Sequence, residues 1–239
     1  MTDDGVYGEI KAALAPLGLI ARGGFHPEAG DDVPLLTSGL TSGQTAKTLI
    51  MIGNAGRALW EVFPLSPEAA DGEADPLDRW TARVLAPLAL RLGAELFFPF
   101  GDGGHPFTRW AQRAEAVAPS PLGLLIHPEY GLWHAYRGAL AFAGTLPLPP
   151  RTDWPVPCDT CAAKPCLGAC PVGAFTSSGY DVPICATYLT TPAGKVCLEA
   201  GCQARRACPV AAPNAPVQAA FHMGAFFRSL RNAGLTGNE

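Results

Sequence analysis

Lysine is scarce in this chain: 239 residues hold only Lys11, Lys47, Lys164 and Lys195, and the formal net charge is -4. A polyanion needs a broad basic face, so nucleic acid is not an expected partner. Long apolar runs are missing too. None approaches the roughly 18 residues needed to span a bilayer, so no membrane association is expected. The opening Met1-Thr2-Asp3-Asp4-Gly5 is acidic where a signal peptide is basic, and no apolar stretch follows to suggest secretion. Cysteine is absent before Cys158, and all eight copies fall between there and Cys208. What is plentiful is apolar: 48% hydrophobic residues against 16% charged, ample for a buried core across one or two domains.

The cysteines run Cys158-x2-Cys161-x4-Cys166-x3-Cys170-Pro171, then Cys185 alone, then Cys197-x4-Cys202-x5-Cys208-Pro209. Short spacings let one loop wrap three corners of an iron-sulfur cubane while a distant cysteine supplies the fourth. In two-cluster ferredoxins the cysteine before proline ligates the other cluster. That swap predicts one [4Fe-4S] cluster on Cys158, Cys161, Cys166 and Cys208, and a second on Cys170, Cys185, Cys197 and Cys202. The loop from Ala162 to Pro165 is two residues longer than the bacterial spacing, and the second half is stretched as well. Disulfides suit small secreted domains, which this chain does not resemble. Structural zinc prefers paired knuckles, and the Cys-Pro endings with a stray central cysteine fit it poorly. Thiolate clusters persist in reducing surroundings, so a cytoplasmic location is expected.

Composition shifts at the proline-rich Leu146-Pro147-Leu148-Pro149-Pro150, which predicts a first domain over 1–150, a cysteine module over 151–212 and a C-terminal helix and tail over 213–239. In the first domain the pattern predicts a helix from Gly5 to Leu17, a buried strand from Lys47 to Gly53 with a helix after it, and a helix from Asp78 to Leu92 kinked or broken at Pro87. A strand from Glu95 to Phe100, a glycine-rich loop over Gly101–His105 and a helix from Pro106 to Val117 follow. Two strands then flank a tight loop at Pro128–Gly131. Helices alternating with strands give an α/β or α+β architecture. Pro213 to Pro216 stops the cysteine module, and Val217 to Arg231 reads as a helix whose Phe221, Phe226, Phe227 and Leu230 would pack back on the first domain. The tail from Gly234 to Glu239 is expected to be disordered.

Leu125-Ile126-His127-Pro128-Glu129-Tyr130-Gly131-Leu132-Trp133 resembles the Leu-Ile-His-Pro-Arg-Phe-Gly-Ser-Trp segment of epoxyqueuosine reductases, a pattern that also recurs in cobalamin-processing proteins. Ile184-Cys185-Ala186-Thr187-Tyr188-Leu189-Thr190 resembles the reductases' Arg-Cys-Ile-Ser-Tyr-Leu-Thr, whose cysteine is a cluster ligand. The resemblance covers roughly residues 45 to 210 in order. It implies an α+β chain: a nitroreductase-like α/β domain of cobalamin-binding type, a ferredoxin-like two-cluster module and the C-terminal helix. It further implies that electrons from an external donor such as a flavodoxin or ferredoxin pass through the clusters to a bound cobalamin, which acts on a small-molecule or corrinoid substrate. Ile126, His127, Tyr130, Gly131 and Trp133 would then lie at the corrinoid. The catalytic acid of the family stands in an Asp-Tyr-His triplet, of which Leu77-Asp78-Arg79-Trp80 keeps only Asp78; a first-turn helix acid is the plainer reading of that residue. The tRNA-gripping helical repeats of the family have no counterpart here. A flavin in place of the corrinoid, a stand-alone electron carrier and a cobalamin chaperone are the competing readings.

Other residues give weaker signals. Gly53-Asn54-Ala55-Gly56 follows a strand but lacks the Lys-Ser/Thr of a Walker loop, leaving a flavin phosphate or corrinoid amide as its possible ligand. No Asp-x-His-x-x-Gly sequence exists to supply a histidine lower ligand to cobalt. His26, His105, His134 and His222 show no metal spacing. Arg109 and Arg113, one turn apart, could bind an anion or simply face solvent. Arg205 and Arg206 could raise a cluster potential or dock an acidic donor.

Overall fold

The computed structural model describes residues 5–37, 41–176, 178–211 and 216–236. The acidic start over 1–4, most of the Pro213–Pro216 stop and the last three residues of the tail lie outside the described residues. In chain order the elements begin with helix α1 (Gly5–Leu14), strands β1 (Ile20–Phe25) and β2 (Thr48–Ala55), helices α2 (Ala58–Val62), α3 (Pro67–Ala70) and α4 (Pro76–Leu92), strand β3 (Glu95–Phe97) and helix α5 (Phe107–Ala114). Strands β4 (Ala118–Pro119), β5 (Leu125–Ile126) and β6 (His134–Phe142) follow. The cysteine-bearing stretch holds α6 (Pro157–Thr160), α7 (Pro165–Gly168), β7 (Phe175–Thr176), β8 (Gly179–Tyr180), α8 (Val182–Leu189), α9 (Lys195–Ala200) and α10 (Gln203–Arg206). Helix α11 (Pro216–Asn232) closes the described chain.

The chain divides into two compact units, one of Met1–Ala116 with His134–Trp154, the other of Val117–Trp133 with Pro155–Glu239. This differs from the boundary expected at residue 150. The change of unit falls between Trp154 and Pro155, after the proline run, and that run gives no hint that 117–133 belongs with the cysteines. A boundary crossed twice leaves no single composition shift.

The first unit is built on an antiparallel four-stranded sheet in the order β1-β2-β6-β3. Thr48 to Asn54 are buried without alternation, the mark of a strand covered on both faces. Helices α1 and α5 pack on β1, α2 and α5 on β2, and α4 on β3 and β6. Fully burying each Leu or Ile of β2 contributes about 1.5–3 kcal/mol. Strand β1 escapes the pattern because Ile20-Ala21-Arg22-Gly23-Gly24-Phe25 has two glycines and a buried arginine where apolar alternation would be read. Helix α4 runs unbroken through Pro87, whose ring is exposed, so the carbonyl that loses its N–H partner can turn to water. The two strands expected around Pro128–Gly131 form, but not as a pair: β5 pairs with β4, and β6 lies inside the central sheet.

In the second unit one core cluster gathers Leu122, Ile126, Leu132, Cys166 and Ala204, and another gathers Ala186, Leu189, Cys197, Met223 and Leu230. Helix α11 packs against α9 and α8, where its apolar residues meet those two cysteine-bearing helices. Among the described residues, no helix is long and apolar enough to cross a membrane.

Candidate metal centre

All eight thiols are free of disulfides. Cys158 and Cys161 sit at the start and end of the single turn α6, and Cys166 lies in the first turn of α7, entered through Lys164 in the left-handed region (φ 37). Cys185 rides on α8, whose start is fixed by the Asp181 carboxylate accepting from the Ile184 N–H at 3.0 Å. Cys197 rides on α9, and Cys202 and Cys208 bracket α10.

The thiols sort electrostatically into two sets. Burial pushes the Cys158 thiol up, and negative charge on Cys208, Cys166 or Cys161 pushes it further. Cys166 is raised by burial and by Cys208 and Cys161. Cys185 is raised by burial and by Cys202, Cys170 and Cys197, and Cys202 by burial and by Cys197 and Cys170. The sets are therefore Cys158, Cys161, Cys166, Cys208 and Cys170, Cys185, Cys197, Cys202. Four converging thiols resist ionising together unless a cationic centre sits among them. Among the described residues no three His, Cys, Asp or Glu side chains are placed to hold a single metal ion. Each set feels the charges of its own members and holds no single-ion site, and as an all-thiol donor set it suits an iron-sulfur cubane in its chemistry. Two buried polar side chains of this unit also lack a protein partner: Trp133 at Nε1, and Gln218 at both Oε1 and Nε2 with 0% exposure.

Arg205 was singled out beside the cysteines, and the structure gives it a definite place. Its Nε donates to the Leu132 carbonyl at 3.0 Å, Nη2 donates to the same oxygen, and the guanidinium lies 4.4 Å over the Trp133 ring. Burial lowers it to about 10, while the Cys202 thiol nearby favours its charged form. Arg206 is exposed.

The five residues expected at a corrinoid are spent otherwise. The His127 and Gly131 backbones exchange both hydrogen bonds at 2.9 Å. His127 Nδ1 accepts from the N–H groups of Glu129 at 3.0 Å and Tyr130 at 3.2 Å, and the His127 and Tyr130 rings stack at 4.4 Å. Gly131 has φ 56, and a Cβ there would stand 1.9 Å from the Val210 carbonyl oxygen. Ile126 is in the core, and Trp133, 1% exposed, has Arg205 over its ring. These side chains close a loop and dock it on the cysteine unit. As a flat platform for a macrocycle they do not fit.

In the first unit, Asp78 is not the cap of α4 but lies in its first turn, accepting from Arg137, which also donates to Thr81 Oγ1 at 3.1 Å. Burial pulls Arg137 down, with Asp78 opposing. The candidate acid thus serves as a counter-ion to a buried cation. Gly53 to Ala55 lie within β2, their register fixed against β6, so this stretch forms no phosphate loop. Arg109 ion-pairs with Asp32 at 2.7 Å, and Arg113 reaches Glu28 at 3.3 Å and Asp31 at 3.5 Å; both fasten the segment after β1.

Sequence reading missed a buried polar network beside these. Arg22, 2% exposed, pairs with Glu115 at 2.6 Å, meets His134 Nδ1 at 3.3 Å and donates to the Asn54 carbonyl at 3.4 Å. Burial holds the Tyr136 hydroxyl far above the usual phenol range, so it keeps its proton and donates to Glu115. Asn54 Nδ2 is buried with no partner. An arginine inside a strand between apolar residues was the available signal.

No protein-family model and no curated protein matches the chain. Among solved structures it is similar to an epoxyqueuosine reductase crystallised with an epoxyqueuosine-modified tRNA-Tyr stem loop, at 18% identity and TM-score 0.41 over 69% of this chain and 48% of that one. It is similar also to a selenomethionine-labelled epoxyqueuosine reductase, at 18% identity and TM-score 0.39 over 69% of this chain and 49% of that one. The chain spans about half the length of these structures. They carry the name of the family that the His-Pro and Cys185 segments resemble. Because one of them holds a tRNA stem loop, the expectation of no nucleic-acid partner is withdrawn. A net charge averages a whole surface and does not exclude a local contact.

Proposed function

We propose that this chain is an iron-sulfur redox protein in which Cys158, Cys161, Cys166 and Cys208 hold one [4Fe-4S] cluster and Cys170, Cys185, Cys197 and Cys202 hold a second. The observation that carries this reading is the sorting of eight free thiols into two sets of four. Bound clusters of this kind supply one-electron transfer at a potential set by their surroundings. The chain's own residues do the rest. The buried thiols surrender their protons as iron enters, so assembly weakens as pH falls. Arg205 brings a desolvated positive charge to the Cys202 side of the second set, and the docked loop from His127 to Trp133 shields that side from water. The partner is an external one-electron donor of the flavodoxin or ferredoxin class, and the compartment a reducing cytoplasm.

A second reading places an electron-accepting cofactor, a corrinoid or alternatively a flavin, in the first unit. Its supporting observation is the buried, unpartnered Asn54 amide. No step is derived through that group, because the five residues assigned to it are engaged elsewhere. Without it the chain is an electron carrier.

Anaerobic reconstitution with iron and sulfide tests both readings. About eight irons per chain and the EPR of reduced [4Fe-4S] centres are expected; a colourless protein that takes up zinc instead would overturn the cluster reading. Hydroxocobalamin and FMN are then titrated into the loaded protein, with saturable binding that Asn54→Leu abolishes expected on the second reading.

A further inference from the structure

The two sets of sulfurs differ in what points at them. In the second set, the Ala174 N–H donates to Cys170 Sγ at 3.3 Å, and Gln203 Nε2 donates to Cys197 Sγ at 3.7 Å. The Tyr180 hydroxyl bonds to the Cys185 sulfur, and the backbone N–H groups of Ala204 and Arg205 point at Cys202. Every sulfur of that set has a donor. In the first set only Cys166 has one, from its own N–H and that of Leu167; Cys158, Cys161 and Cys208 show none among the described residues.

Other influences pull in both directions. Each set has one cation nearby, the exposed Lys164 at Cys158 and the desolvated Arg205 at Cys202, and the desolvated charge acts the more strongly in favour of a reduced cluster. Each has one buried cysteine and three half-buried ones, but protein packs more closely around Cys185 and Cys202 than around Cys158 and Cys166, which opposes the added negative charge of a reduced second cluster. The hydrogen bonds add to the charge of Arg205 and work against the packing. An N–H or O–H aimed at a cluster sulfur stabilises the reduced form, which carries one more negative charge, and so raises the potential.

Building on the two-cluster reading, we propose that Ala174, Tyr180 and Gln203 hold the cluster of Cys170, Cys185, Cys197 and Cys202 at the higher potential, so that an electron delivered to the other cluster runs downhill to it. Each centre takes one electron, passing from the 2+ to the 1+ state, and the donor loses one. Tyr180 and Gln203 are positioning residues that act through sulfur. Tyr180 is additionally held by stacking on Phe175 at 4.7 Å, which Tyr180→Phe preserves.

The test is a potentiometric titration of the reconstituted full chain, with dithionite as reductant and EPR and iron content read on the same samples. Two separate one-electron steps are expected. Tyr180→Phe and, independently, Gln203→Met should each lower the step reduced first, with a severalfold fall in its ratio of reduced to oxidised centre at a fixed potential, and leave the other step in place. Lys164→Met should move only the later step. A single two-electron step, or movement of the later step by both Tyr180→Phe and Gln203→Met, would overturn the ordering while leaving two clusters intact. Samples that never load two clusters would overturn the function reading itself, and the iron content separates the two failures.

Discussion

The first unit answers its buried cations with carboxylates: Arg22 meets Glu115 and Arg137 meets Asp78. In the second unit the buried Arg205 meets a carbonyl and an indole face and, among the described residues, no carboxylate. Among the described residues, both buried arginines of the first unit thus have their counter-charge within the protein. The second holds a desolvated positive charge beside thiols that burial keeps protonated, and its balance is reached only when those thiols ionise. On the two-cluster proposal, a unit whose buried cations are met by carboxylates and a unit completed by metal would stand in one chain.

The contrast breaks most visibly on removal of metal. Chelating iron from the reconstituted protein is expected to strip amide protection from residues 155–208 while β2 and β6 keep theirs, measured by hydrogen exchange. Equal loss in both units would erase the distinction. Glu115→Ala comes next, because it leaves Arg22 buried without its counter-charge; a cost of about 3–5 kcal/mol is expected in urea unfolding of the metal-free chain, independent of iron. Arg205→Ala is the smallest, about 2 kcal/mol from the lost cation–π contact and carbonyl bonds. Its cost should grow in the iron-loaded protein, where thiolates have become its counter-charge, and an effect unchanged by iron would remove Arg205 from that role.

Legibility followed the same divide. The eight cysteines announce themselves because thiolate ligation depends on short spacings along the chain, and the two sets expected from Cys-Pro swapping are the ones proposed above to hold the clusters. The strand at Thr48 and the helix through Leu92 were legible from their apolar runs. What the sequence hid depends on distant pairing. Arg22 finds Glu115 across 93 residues, and no local pattern marks either as a partner. Asp78 looks like a helix acid or a proton donor until Arg137 is seen beside it. The His127 segment carries a recognisable pattern, yet its rings turn on each other and on Arg205, because a pattern fixes residue types and not the direction they face. The four antiparallel strands follow from pairing, which alternation alone cannot order.

The insertion of 117–133 into the cysteine unit has a consequence during synthesis. Ile126, Leu132 and Trp133 leave the ribosome well before their packing partners exist, since 75 residues separate Trp133 from Cys208. That interval is roughly 4–15 seconds of translation, in which an apolar loop waits for a sulfur-rich half not yet made. The nascent chain therefore passes through a sticky stage that lasts at least until the last cysteine emerges.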